Sequence, residues 1–248
     1  MRTLITLALL LLSHICLAEQ AKVAIIIDDI GYRKTDSHVL KLPGNLTLAI
    51  LPHTPFGPSL AKKAYEQNKD VILHIPMESE SDKLLGPGAL ISSMDEQAIR
   101  DSLQASFDEI PFAIGINNHM GSKLTQQYSP MAWTMRYLKD HQLLFVDSVT
   151  TQHSKARKIA RHYGVPSLSR HLFLDNQLTQ TYISGQFAQL VRQAKKYKRV
   201  VAIAHPHPET VTALSYLIPQ LASHDIELVG ISELLPPKIN EQQLLHTD

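Results

Sequence analysis

The stretch VAIIIDDIGY, residues 23–32, runs an apolar segment directly into two adjacent aspartates. Its Val/Ile-rich half does not alternate with polar residues, the pattern of a parallel strand covered on both faces. Asp28 and Asp29 then fall where such a strand ends. Two like charges side by side repel, and burying either is costly unless a cation or hydrogen-bond donors meet it. A bound metal ion answers that cost; so does a solvated turn.

Six more runs resemble the first: LTLAIL (46–51), DVILHI (70–75), FAIGI (112–116), LLFVD (143–147), RVVAIA (199–204) and IELVGI (226–231). Helical patterns lie between them at 58–68, 94–109, 129–141 and 185–197, with Ser129-Pro130 placed as an N-cap and N1 proline. Strand alternating with helix in this way predicts a single α/β domain, either a barrel or a doubly wound sheet.

The N-terminus pairs a basic start at Arg2 with an apolar core, Leu4 to Leu12, too short to span a bilayer, followed by Cys16-Leu17-Ala18. This predicts a secretory signal peptide over 1–18, cut after Ala18, and export to the periplasm or beyond with no membrane anchor retained. Ile15 stands where a lipoprotein signal would have a small residue. The remaining 230 of 248 residues suffice for one large core, a domain over 19–235, leaving a polar, loose tail over 236–248. Cys16 is the only cysteine and leaves with the leader, which excludes disulfide and thiol chemistry. Lys and Arg number 24 against 23 Asp and Glu, and no basic run with interleaved aromatics occurs, so nucleic acid is not an expected partner. The sequence does not set an oligomeric state.

Polar residues recur just where the apolar runs end. Asp28-Asp29 follow the first, His53 the second, and His74 and Glu78 lie in and after the third. His119 follows the fourth, Asp147 closes the fifth, and His205 and His207 follow the RVVAIA run. In parallel α/β folds the carboxyl ends of the strands share one face, so these residues are expected to converge there. Each also has a plain structural reading. His53 suits a loop between prolines, His74 a satisfied core histidine, and Asp147 and Asp175 a cap or an ion pair with Arg170. The setting of His119, with Asn117, Asn118, Gly121 and Ser122, reads as a polar tight turn rather than core.

Taken together and in order, IIIDDIG, HIPME, GINNHMGS, FVDS, FLDN and AIAHPHP resemble the divergent polysaccharide deacetylases, a branch of the carbohydrate esterase deacetylases. The resemblance implies a distorted (β/α) barrel of about seven parallel strands with a divalent metal, zinc foremost, at its mouth. It implies Asp28 as general base and Asp29 as metal ligand, with Asn118-His119 matching the family's second motif. Four residues on, where that motif has another metal histidine, this chain has Lys123. His74 is then the candidate third ligand. His205 matches the family's general acid, with His207 as competitor. Asn118, His207, Glu78, Asp147 and Arg170 are expected to bind substrate or support the site. The family's Arg-Pro-Pro-type motif is not visible.

One carboxylate and two imidazoles leave coordination positions open for water and an acetyl oxygen, which suits zinc and is also compatible with cobalt, nickel or iron. The expected activity is removal of amide- or ester-linked acetyl groups from a cell-envelope polysaccharide, with the acetylated glycan as partner. Two other readings stand beside it. One is a catalytically inactive glycan-binding protein on the same barrel, which Lys123 favours; the other is a metal-dependent phosphoesterase. Tyr32, the Gly86–Gly88 turn and Trp133 are weaker candidates for sugar-stacking surface.

Overall fold

A computed structural model describes residues 19–81 and 83–235; the leader and tail expectations, 1–18 and 236–248, lie outside the described residues. Nine strands form one parallel sheet: β1 (Ala21–Ile30), β2 (Thr47–Ile50), β3 (Asp70–Met77), β4 (Gly115–Met120), β5 (Leu144–Asp147), β6 (Ser167–Ser169), β7 (Leu172–Phe173), β8 (Arg199–Ala204) and β9 (Ile226–Leu228). Their order is β6-β5-β4-β3-β2-β1-β8-β7, with β9 beside β1. Six α-helices intervene: α1 (Gly57–Glu66), α2 (Glu96–Glu109), α3 (Tyr128–Asp140), α4 (Ala156–His162), α5 (Gln180–Tyr197) and α6 (Pro208–Leu217). This is the expected distorted (β/α) barrel.

The short β6 and β7 close it. Between them, Arg170 N–H donates to Asp147 O on β5, and His171 N–H donates to Val201 O on β8. One extended segment therefore leaves one edge of the sheet and joins the other within two residues.

Strand alternation sorts the apolar side chains into two cores. Ala24, Ile26, Ala49, Ile72, Val146, Val201 and Ile203 face inward and cluster with Ile231 and Leu234, which stop the barrel from below. Ile25, Ile27, Leu73, Ile75, Phe145 and Ala202 face outward and pack with helix residues such as Ile99, Leu103, Met135 and Leu190. Both faces of the strands are covered, which is why their sequences read as unbroken apolar runs.

The two short strands β6 and β7 bring the sheet to nine strands rather than about seven, and several element boundaries differ from expectation. β4 begins at Gly115 rather than 112 and continues to Met120, so Asn117, Asn118 and His119 belong to the strand and the tight turn follows them. α3 starts at Tyr128 with Gln127 as N-cap, so Ser129-Pro130 lies within the first turn. α5 starts at Gln180, five residues before the expected 185, because Thr179 Oγ1 accepts the Tyr182 N–H at 3.3 Å and caps it there. The His-Pro-His-Pro segment opens α6, with Pro208 in its first turn, where a missing N–H costs nothing.

Candidate functional site

The register of β1 explains the tandem aspartates. Ile27 pairs Leu48 and Ile30 pairs Ile50, three steps on β1 against two on β2, so a bulge sits at Asp28-Asp29. Asp28 continues the inward row of Ala24 and Ile26. Asp29 would face outward, but its φ of +59° turns it inward as well. The bulge thus aims two consecutive carboxylates at one point. Gly31, φ +140°, completes the turn; a Cβ there would collide with Thr54 Oγ1.

Asp29 meets two histidines from neighbouring strands. His74 faces inward from β3, two residues after Ile72, and His119 comes from β4. Asp29 Oδ1 lies 2.8 Å from His119 Nδ1 and 3.1 Å from His74 Nε2, and those two nitrogens are 3.1 Å apart. The three atoms make a nearly equilateral triangle of electron-pair donors. Ligands of a tetrahedral zinc stand about 3.3 Å apart, so the triangle is close to the size a divalent ion requires. Asp29 Oδ1 is also shut off from solvent without a well-aligned donor. Such a group needs positive charge at its centre, from imidazole protons or from a metal ion, and the donor set fits the metal. Burial opposes ionisation of Asp29, yet the two imidazoles hold its carboxyl well below the usual carboxylate range. Burial likewise pushes His74 down, but Asp28 and Asp29 outweigh it and raise it.

Asp28 is 2 % exposed and stands beside the triangle, its Oδ2 3.7 Å from His74 Nε2. Its Oδ1 accepts the Asn117 Nδ2–H at 2.7 Å, while Asn117 Oδ1 lies 2.7 Å from His74 Nδ1. Burial raises the Asp28 carboxyl above its ordinary value, against the opposing charges of His74 and His205. It is a candidate base of unusual strength for a carboxylate.

His205 ends the inward row Val201, Ile203 of β8. Its backbone N–H donates to Asp175 Oδ2 at 2.7 Å, its ring Nδ1 lies 3.0 Å from Asp175 Oδ1, and Thr210 Oγ1 also donates to that carboxylate at 2.9 Å. Burial alone would lower the imidazole, but the hydrogen bond and charge of Asp175, helped by Asp28 and Asp29, hold it at about 9. His205 therefore carries its proton at neutral pH and presents its Nε2 edge. Asp29, His119, His205 and His207 line one cavity of about 350 Å³ with Tyr32, Arg33, Leu84, Leu85 and Gly86 among the other walls, within the size range of small-ligand sites.

Several expected members serve elsewhere. Asp147 faces away: it accepts from Val149 N–H at 2.9 Å and Ser154 Oγ at 2.7 Å and builds the loop after β5. Glu78 accepts from Lys123 Nζ at 2.6 Å and from Ser92 N–H at 2.7 Å, contacts that hold its carboxyl down at about 2 although burial pushes it up. Lys123 is thereby turned away from the triangle, where His74 takes the third corner. Asn118 shapes the surrounding loops, accepting from Ser148 N–H and donating to Met120 O. Arg170 donates to Ser148 O at 2.6 Å and Val149 O at 2.8 Å and stacks 3.8 Å over Phe173. It does not pair with Asp175, whose partner is His205. His53 binds Glu109 through its backbone N–H at 2.7 Å, anchoring the loop after β2 to α2. Trp133 packs against the outer core. Asn117 and Asp175 touch the site although residue type and position carry only structural readings for them, Asn117 in a polar turn and Asp175 as a cap or a partner of Arg170. Each is a polar residue that faces inward at or near a strand end, a signal shared with many turn-forming residues.

Comparison with known proteins places the family and the fold. The model of the family described as divergent polysaccharide deacetylase matches residues 25–235. The uncharacterized protein YibQ of Escherichia coli K12 is 37 % identical over 238 residues, 96 % of this chain and 72 % of that protein. The crystal structure of uncharacterized protein ATU2773 from Agrobacterium tumefaciens C58 superposes with a TM-score of 0.84 at 24 % identity, covering 88 % of this chain and 90 % of that one. A family 4 carbohydrate esterase from Streptomyces lividans, solved in complex with acetate, shares the fold at a TM-score of 0.51 and 14 % identity, over 85 % and 93 % of the two chains.

Proposed function

The chain belongs to the divergent polysaccharide deacetylase family, and from that premise we propose that it is a metal-dependent hydrolase removing acetyl groups from a cell-envelope polysaccharide. The observation that carries the proposal is the 3 Å-scale Asp29-His74-His119 triangle with a buried Asp28 beside it, whose Asp29 and His119 line the same cavity as His205.

Asp29 Oδ1, His74 Nε2 and His119 Nδ1 would hold the metal, zinc by the chemistry of the donor set. When bound, the ion supplies Lewis acidity toward the acetyl carbonyl and makes water a nucleophile at neutral pH. Asp28, its pKa raised by burial, takes the proton of the attacking water through its open Oδ2. His205 delivers a proton to the departing sugar nitrogen or oxygen, and Asp175 keeps it charged and aimed. Tyr32, Leu84 and Leu85 offer apolar surface to the face of a sugar ring. The leader-like 1–18 segment supports the cell-envelope part of the proposal. Lys123, which favours an inactive glycan-binding protein, has its own partner in Glu78 and leaves the triangle complete.

The test is elemental analysis of the purified untagged protein, followed by assay of acetate release from chitooligosaccharides and acetylated peptidoglycan fragments. About one equivalent of zinc with acetate release supports the proposal. A protein that stays metal-free in added zinc points to the glycan-binding reading, and phosphate release from p-nitrophenyl phosphate without acetate release points to a phosphoesterase.

A further inference from the structure

Asn117 lies in β4 with 0 % exposure, and its single side-chain amide touches both halves of the site. Oδ1 is 2.7 Å from His74 Nδ1; Nδ2 is 2.7 Å from Asp28 Oδ1 and 3.4 Å from Ser148 Oγ. An amide nitrogen only donates and an amide oxygen only accepts. With Nδ2 committed to the Asp28 carboxylate, Oδ1 faces His74 and accepts the Nδ1 hydrogen. The lone pair of His74 is then left on Nε2, the atom that faces Asp29 and His119. On the other side, Asp28 Oδ1 is occupied, and Oδ2 is the oxygen left open toward the triangle.

We infer that Asn117 is a positioning residue with two separable parts: its carbonyl oxygen sets the tautomer and ring orientation of His74 as a metal ligand, and its NH2 group fixes Asp28 so that Oδ2 faces the reacting water. The inference rests on the metal-site reading proposed above. Groups that accept a hydrogen from a ligand histidine commonly change metal affinity by 10–100-fold when removed. A residue that only filled space would not distinguish between the two ends of its amide. This one does, and two substitutions separate the ends. Asn117→Asp keeps an acceptor for His74 but replaces the donor to Asp28 with a like charge. Asn117→Leu, close in volume, removes both.

The experiment is zinc affinity by chelator competition for wild type, Asn117→Leu and Asn117→Asp, with a zinc-free thermal melt of each to establish folding. Acetate release from a chitohexaose probe is measured alongside. The expected result is an affinity loss of about 10–100-fold in Asn117→Leu and of less than about threefold in Asn117→Asp. Asn117→Asp also loses turnover by about tenfold or more through kcat with KM unchanged. Should Asn117→Leu not melt cooperatively, Asn117→Ser, smaller and polar, takes its place. Wild-type affinity in the leucine or serine variant overturns the role of the carbonyl oxygen, and equal loss in both variants overturns the division between the two ends. A wild type that binds no zinc overturns the metal-site reading itself, and this inference with it. If zinc binds but chitohexaose is not cleaved, the affinity comparison alone decides for or against the carbonyl role.

Discussion

At the scale of single residues, the tandem aspartates are not redundant, because the bulge gives them different neighbours. Asp29 Oδ1 is the carboxylate atom in the triangle, while Asp28 is held 3.7 Å off by an amide. Asp29→Ala and His119→Ala are therefore expected to abolish zinc binding in a dialysis measurement, while Asp28→Asn keeps full zinc and loses about 10²–10⁴-fold in turnover. Full zinc stoichiometry in His119→Ala would remove that residue from the ligand set. His205 gives a second prediction. In the proposed mechanism it must keep its proton to act as an acid, so activity is expected to fall as pH rises through about 9, and Asp175→Asn, removing the largest contribution that opposes burial, to move that limb down toward the ordinary value of 6.5. The same shift acts on stability. A folded value above the unfolded one stabilises fully below pH 6.5 and loses that contribution through about 9. Asp175→Asn should thus melt below wild type at pH 6, with a gap that narrows at pH 10; a gap constant with pH would mean the carboxylate acts only as a structural acceptor. Residue type and strand-end position made Asp28, Asp29, His74, His119 and His205 legible in the sequence. They did not separate Asp147 and Glu78, which build loops, from Asn117 and Asp175, which touch the site. All four are polar residues near strand ends, and only the through-space partner tells them apart.

At the scale of elements, what was legible was what burial writes into sequence. Strands covered on both faces announced themselves as Val/Ile runs, and α2 came out within two residues of its start because Asp95 caps it through the Ala98 N–H at 2.8 Å. The short β6 and β7 carry too few residues to show any period, and they are held by what they pair with rather than by propensity. The helix α6 is masked in the sequence by Pro206 just before it and Pro208 at its first position, since prolines start a helix as readily as they end a strand. The turn after β1 is tightly specified. Gly31 has a φ of +140°, its N–H donates to Asp36 Oδ2 at 3.0 Å, and Thr54 fills the space where a Cβ would stand. Gly31→Ala must strain the backbone and displace the loop after β2, at a cost of about 2 kcal/mol or more. Urea unfolding measures it directly. A stability within about 0.5 kcal/mol of wild type would show that the turn can be remade without its glycine.

At the scale of the whole molecule, the barrel divides into an apolar lower part and a polar, charged mouth. Below, Ala24, Ile26, Ile72, Val201 and Ile203 pack on Ile231 and Leu234 in an apolar interior. Above, the same inward rows continue as Asp28, His74 and His205, exchanging hydrophobic burial for charge. At the mouth the Asp29 carboxylate stands between His74 and His119, and His74 is raised, Asp28 and Asp29 prevailing over the downward pull of burial. On the proposed metal-site reading, zinc bound by Asp29, His74 and His119 would tie β1, β3 and β4 together, so binding would be linked to folding stability. At a free zinc concentration a hundredfold above Kd the linkage is worth about 2.7 kcal/mol, which for a domain of this size corresponds to a rise in Tm of roughly 5–10 °C. Because His74 must lose a proton to become a ligand, the rise should be smaller at pH 6 than at pH 8. It should vanish in Asp29→Ala and persist in Glu78→Gln, whose partner is Lys123 rather than the triangle. A zinc shift that survived Asp29→Ala but was lost in Glu78→Gln would move the metal to a different part of the barrel mouth.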